Sequence, residues 1–172
     1  MSKETLNFNS LPEGIIALIL EYLPQIPYRL RASNINSRVR RISSEAMGLW
    51  KVFSLKGQSG ESLSLIRSIT PSSPLSKAEI VDLRGRTELR DSDLEHLASV
   101  CMGMKLLYIE NCPAITDRGL EALGKCSSNL EYLSIGFVMA AHGTENARAA
   151  MNGCTDEGFA ALSSGCKELK FL

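Results

Sequence analysis

The chain has 172 residues, of which 44% are hydrophobic and 22% charged, a composition that excludes a disordered chain. Nineteen basic residues balance nineteen acidic ones, which excludes both a strongly basic nucleic-acid binder and a polyacidic tail. The balance is uneven along the chain. Residues 1–56 hold eight Lys/Arg against four Asp/Glu, and residues 57–172 hold eleven against fifteen. A +4 segment joined to a −4 segment implies two surfaces with different partners.

No stretch approaches the roughly 18 apolar residues of a membrane span, so no membrane partner is expected. Met1-Ser2-Lys3-Glu4 opens the chain with polar residues and no leader character. A cytoplasmic or nuclear setting is expected, where thiols stay reduced. The five cysteines are an odd number without a C-x-x-C pair, so zinc-knuckle spacing is absent. They are expected to be small core residues.

In chain order, Asn9-Ser10-Leu11-Pro12-Glu13 carries the signals of a helix start. Ser10 and Glu13 have capping-box spacing, and Pro12 falls in the first turn. Ile15, Ile16, Ile19, Leu20 and Leu23 then form a broad apolar face. Pro24 to Pro27 break the helix. A short second helix is expected near Tyr28–Ser33, and a third over Asn36–Ser44 with Ile35, Val39 and Ile42 as its stripe. So small a segment with so much apolar surface must pack on a neighbouring domain or on another protein. Trp50, the only tryptophan, is expected to anchor its core. The basic run Arg29, Arg31, Arg38, Arg40, Arg41 lacks an accompanying aromatic or Gly-rich loop. A solvated face, or one meeting an acidic partner, is expected there, and nucleic acid is not.

The ordered set Leu11-Pro12, Ile15-Ile16, Ile19-Leu20-Glu21-Tyr22-Leu23-Pro24, Leu30-Arg31, Ile35, Arg38-Val39-Arg40-Arg41-Ile42 and Leu49-Trp50-Lys51-Val52-Phe53-Ser54-Leu55 resembles an F-box. It departs from that pattern at Gly14, Arg29 and Val39. The resemblance implies docking on the Skp-type adaptor of an SCF-type ubiquitin ligase, and through it on cullin and RING subunits. It implies adaptor contacts from Leu11, Pro12, Ile15, Ile16, Ile19, Leu20, Leu23 and Leu30. Laying an amphipathic helix in a partner groove is a recurring recognition mode. The competing reading makes the same isoleucines and leucines core.

Residues 57–77 read as a joint, with Gly/Ser/Pro-rich ends around Leu63, Leu65, Ile66 and Ile69, which suit a short helix. From residue 78 the sequence repeats itself. Leu83, Ile109 and Ile135 recur at 26 residues, as do Asp91 and Asp117, Leu94 and Leu120, and Leu97 and Leu123. Each unit alternates like a strand (Leu107-Tyr108-Ile109-Glu110) and then takes helix spacing behind an N-cap (Thr116-Asp117, Leu120, Leu123). The wording from Cys112 to Cys126 resembles the cysteine-containing leucine-rich repeat, although Arg86 stands at a usual Cys and Asp93 at a usual Gly. Thr155-Asp156 follows Thr116-Asp117 by 39 residues, which places an insertion near 138–153, read either as extra length that a loop tolerates cheaply or as a recognition loop through His142, Glu145 and Arg148. Leu169-Lys170-Phe171-Leu172 begins a fourth strand that stops, so a truncated fourth repeat is expected.

The expected fold is α followed by α/β. A helical F-box module (1–56) and a linker (57–77) precede a short right-handed leucine-rich-repeat solenoid (78–172), with parallel strands on the concave face and helices on the convex face. Its strand face would carry Asp82, Arg84, Tyr108, Glu110 and Ser134 as substrate-binding residues, with Tyr108 an aromatic anchor. No catalytic motif is present, His96 and His142 lie in unrelated settings, and neither a metal nor a cofactor is expected. The leading expectation is a substrate-recognition adaptor of the ligase, with an unknown protein substrate. The alternative is a leucine-rich-repeat interaction scaffold outside any ubiquitin ligase.

Overall fold

In the computed structural model the described residues are 10–23, 35–56, 62–136 and 153–172. The expected helix near 28–33, with Arg29, Leu30 and Arg31, lies outside them. So does the 138–153 insertion except Gly153, and with it His142, Glu145 and Arg148. The chain divides into two units, Met1–Trp50 and Lys51–Leu172.

The first unit contains α1 (Glu13–Tyr22), α2 (Ser37–Glu45) and a 3-10 turn at Met47–Trp50. Helix α1 starts at Glu13, with Pro12 as its N-cap and no side-chain cap. The expected Ser10–Glu13 capping box is therefore not what starts it. Glu13 turns instead to α2, where Arg41 pairs with its carboxylate and Arg38 lies 3.9 Å away. Helix α2 does have a side-chain cap: Asn36 accepts from Val39 N at 2.8 Å. Ile16, Leu20, Val39, Ile42, Leu49 and Trp50 are buried. The Trp50 indole N–H donates to Ser43 O at 2.6 Å, so the one polar atom of that large side chain is satisfied. Ile35, expected on the α2 stripe, is exposed.

The second unit is built on one parallel sheet of β1 (Val52–Ser54), β2 (Ile80–Asp82), β3 (Leu106–Glu110) and β4 (Tyr132–Gly136), in the order β1-β2-β3-β4. Helices α3 (Ser62–Ser68), α4 (Asp91–Val100), α5 (Asp117–Cys126) and α6 (Asp156–Gly165) follow the strands in turn and pack each on the next. Residues 26 apart are register partners: Ile80 with Leu106 with Tyr132, and Asp82 with Tyr108 with Ser134. Val81, Leu83, Leu107, Ile109 and Leu133 are buried, as are Leu94, Leu97, Leu120, Leu123 and Leu162 of the helices. The chain leaves β2 and β3 through left-handed residues at equivalent positions, Gly85 (φ 76°) and Asn111 (φ 58°).

This architecture corrects the expected fold class. Among the described residues the chain is an α+β arrangement of one four-stranded parallel sheet and six α-helices, not a helical module followed by a curved repeat solenoid. A solenoid curves regularly because every step is the same. Here the strands begin at 52, 80, 106 and 132 and the helices α3 to α6 at 62, 91, 117 and 156, so the steps are unequal. Strand β1 also comes from the Trp50–Leu55 stretch that was read as closing the helical module. The F-box plus leucine-rich-repeat architecture falls with the solenoid.

Candidate protein-interaction surfaces

Two surfaces gather the candidate residues, one in each unit. On α1, the predicted adaptor contacts separate by burial. Ile16 and Leu20 are core, while Leu11 and Leu23 are half-buried and Pro12, Ile15 and Ile19 are exposed. Leu18 and Tyr22 complete the exposed set, which the sequence reading missed, and Tyr22 is 86% exposed. Ile15, Leu18, Ile19 and Tyr22 stand at i, i+3, i+4 and i+7, one continuous helix stripe opposite the core pair. The same spacing rule applied from Ile15 would have found both missing residues. Arg38 donates to Leu11 O at 2.8 Å, which ties the Leu11-Pro12 corner to α2.

In the second unit the structure brings the five predicted substrate-binding residues together on one sheet face. Arg84 forms a two-point bond to Asp82, Nε to Oδ1 at 2.9 Å and a terminal nitrogen to Oδ2 at 2.6 Å. Its Nε lies 3.7 Å from Glu110 Oε2, and its guanidinium carbon sits 5.1 Å from the centroid of the Tyr108 ring. Ser134 donates from Oγ to Glu110 Oε1 at 2.5 Å. Burial works to raise the Asp82 carboxyl, but hydrogen bonds and charge from Arg84 outweigh it and hold that carboxyl below its ordinary value. The same Asp82 bond raises Arg84 above its ordinary value.

Two aromatic rings extend this face beyond the prediction. Tyr132 stacks tilted against Tyr108 at 5.4 Å between centroids, and Phe171 against Tyr132 at 6.3 Å. Phe171 is held beside β4 by a parallel bridge to Tyr132 and is exposed. Tyr132 was legible, because alternation two residues back from Ser134 puts it on the same face. Phe171 was legible too, because it follows Tyr132 by the same 39 residues that separate Thr155 from Thr116, and the bridge to Tyr132 places it there. At the strand entrances Lys51, Glu79 and Lys105 form a charge ladder, with Glu79 Oε2 3.5 Å from Lys51 and 3.1 Å from Lys105. Lys170 pairs with Glu131 at 2.7 Å.

The thiols sit largely in structural roles. Cys101 donates to Leu75 O, Cys112 to Leu83 O and Cys154 to Ile115 O, each across to an earlier stretch of chain. Burial pushes the Cys101 and Cys112 thiols up to about 11, far from the thiolate that nucleophilic chemistry uses. Cys126 is exposed. His96 donates from Nε2 to Ile69 O at 2.9 Å. An open groove of about 460 Å³ between α4 and α5 is lined by Arg90, Glu95, Arg118 and Glu121 among others, a mixed-charge surface. Among the described residues no three His, Cys, Asp or Glu side chains cluster to hold a metal, and no helix is long and apolar enough to cross a membrane.

A scan against protein-family models and a search of curated proteins both find no match to this chain.

Proposed function

We propose that the chain is a protein-interaction adaptor that brings a protein substrate to a ubiquitin ligase. Its helical unit docks on a Skp-type adaptor, and through it on cullin and RING subunits, while its sheet face holds the substrate. The observation that carries this reading is the exposed apolar stripe Ile15, Leu18, Ile19 and Tyr22 on α1. A helix that keeps Ile16 and Leu20 in the core and turns four other large apolar residues to solvent has a surface suited to a groove. The smaller excess of positive charge in residues 1–50, six Lys/Arg against four Asp/Glu, favours an acidic partner for the same unit. The chain contributes position and specificity, and the ligase contributes the chemistry.

The test is co-elution of the purified chain with a purified Skp-type adaptor at micromolar concentration. Ile15→Glu with Ile19→Glu places charge on the stripe without touching the core, so it is expected to abolish co-elution and leave the circular dichroism spectrum intact. No binding by the wild-type chain at that concentration would leave an interaction protein unconnected to the ligase.

A further inference from the structure

The strands of the second unit enter the sheet by one rule. Lys51 O accepts from Glu79 N and Ile80 N, Glu79 O from Lys105 N and Leu106 N, Lys105 O from Glu131 N and Tyr132 N, and Glu131 O from Lys170 N and Phe171 N. Each entrance carbonyl thus receives the two N–H groups that open the next strand. The side chains at these rungs alternate in sign and pair with their neighbours. Glu79 lies 3.5 Å from Lys51 and 3.1 Å from Lys105, and Lys170 lies 2.7 Å from Glu131. Ala78, Met104 and Leu130 precede three of the rungs, Val81, Leu107 and Leu133 stand two places after them, and all six are buried.

Beyond the Lys170 rung the edge is open. No described residue donates to Lys170 O. The Lys170 side chain is 57% exposed and pairs with Glu131 on its inner side, with the charge of Glu168 also nearby. Leu172 is 66% exposed, whereas Leu133 and Leu107, two places after the rungs before it, are buried. Leu169 is half-buried where Leu130 and Met104 are buried. Any occupant of this edge is specified by what the earlier strands supply. Its first two N–H groups meet Lys170 O, and an acid meets Lys170, because rungs alternate in sign and like charges across a sheet destabilise. A bulky apolar residue then lies on Phe171, as Phe171 lies on Tyr132 at 6.3 Å, between aliphatic residues that cover Leu169 and Leu172. The acidic rungs of the chain itself read this way, as Ala78-Glu79-Ile80-Val81 and Leu130-Glu131-Tyr132-Leu133. A second copy offers the wrong charge, since its matching edge would set Lys170 against Lys170.

We infer that the sheet edge at Lys170–Leu172 takes an extended segment of another protein as an added parallel strand, reading aliphatic, acidic, bulky apolar, aliphatic, with the acid against Lys170. Strand addition at an open edge is a recurring recognition mode, in which main-chain bonds supply affinity and alternate side chains supply specificity. This edge is distinct from the sheet face, and its use does not depend on the docking proposed for α1.

The experiment is fluorescence anisotropy of the whole chain with three labelled heptapeptides. The first centres on Leu-Glu-Tyr-Leu, the second has Lys in place of Glu, and the third is the first with the Glu and Tyr amide nitrogens methylated. The first is expected to bind about fivefold more tightly than the second, the upper end for one cross-strand pair. The third, without either donor to Lys170 O, is expected to bind about thirtyfold more weakly than the first. Lys170→Glu should reverse the order of the first two, and Leu172→Ala should weaken both about tenfold. Equal binding of the methylated peptide overturns strand addition, and equal or tighter binding of the Lys peptide by the wild-type chain overturns the inferred acid. Failure of all three peptides overturns the edge as a docking site. A wild-type dimer in sedimentation equilibrium that Leu172→Ala dissociates makes the edge a contact between copies, and also overturns the inference. Unchanged near-ultraviolet circular dichroism separates the variants' losses from misfolding, and the wild-type comparisons stand without them.

Discussion

Replacing Gly119 by alanine tests how the second unit is held together along its helix starts. Asp91, the first residue of α4, accepts from Thr116 N at 2.8 Å on Oδ1 and from the Thr116 hydroxyl at 2.7 Å on Oδ2. Thr116 is the N-cap of α5, so one carboxylate fastens the start of the next helix. A Cβ at 119 would lie 2.6 Å from Asp91 Oδ1, 3.2 Å from Ile115 Cγ2 and 3.3 Å from Leu94 Cδ1. The carboxylate has to move, and both its oxygens are committed. A hydrogen bond to a charged group contributes about 1.5–3 kcal/mol. At the low end of that range, for a part-buried pair, two bonds come to about 3 kcal/mol. The helix gains about 1 kcal/mol from Gly to Ala. Gly119→Ala is therefore expected to destabilise by about 2 kcal/mol. In an Asp91→Ala background the collision is gone, and the same substitution should stabilise by about 1 kcal/mol. The coupling in the double-mutant cycle is then about 3 kcal/mol. Urea unfolding should be followed by near-ultraviolet circular dichroism, because Tyr108 and Tyr132 report on this unit while the only tryptophan belongs to the other. A coupling below about 0.5 kcal/mol, the usual size for independent sites, would refute the carboxylate fastening.

Three further outcomes follow from the same unit. Arg86→Leu removes two donors to Leu55 O, at 2.7 and 3.1 Å, and leaves a buried carbonyl unsatisfied, so urea melts should show a loss of about 1–3 kcal/mol. The backbone N–H and hydroxyl of Thr155 hold the Asp117 carboxyl below its ordinary value. Its contribution is therefore complete above the ordinary carboxylate value, about pH 4, and fades as pH falls below it, so Asp117→Asn should flatten the acid limb of a stability–pH curve. Alkylation by iodoacetamide at pH 8, read by mass spectrometry, should label exposed Cys126 first and leave Cys101 and Cys112, both pushed up to about 11, until the chain unfolds.

Much local structure was legible, because it depends on neighbours in sequence. Thr116 caps α5 and Asn36 caps α2, and the alternation of Leu107 to Glu110 is a strand with Leu107 and Ile109 inside. The 26-residue spacing correctly implies register partners, yet it misled on class. Spacing reports which residues meet on adjacent strands and says nothing of the steps where it fails, at β1 and at α6. The start of α1 was misread for a related reason. Glu13 has capping-box spacing, but Arg38 and Arg41 are nearby in space, and a charged partner outcompetes a backbone N–H for a carboxylate. The sheet face was legible from alternation at Tyr132 and from the 39-residue offset at Phe171.

The two positions that break the 26-residue wording show what the wording encodes. Cys112 donates to Leu83 O, and Arg86, at the same place one step earlier, donates to Leu55 O. Both side chains cap a carbonyl at the end of the preceding strand, so the position requires a buried donor rather than a thiol. Asp93 stands where Gly119 stands one step later. Gly119 has to be small because the Asp91 carboxylate of the preceding helix lies against it. The helix preceding Asp93 offers Arg67 instead, whose Nε donates to Asp93 Oδ1 at 2.7 Å, while Arg90 N donates to Oδ2 at 3.1 Å. An acid fits where the neighbour is a base, and nothing fits where the neighbour is an acid. Each residue at these positions is thus chosen by the step before it, and a departure from the spacing marks a change in the preceding neighbour rather than a weakening of the fold.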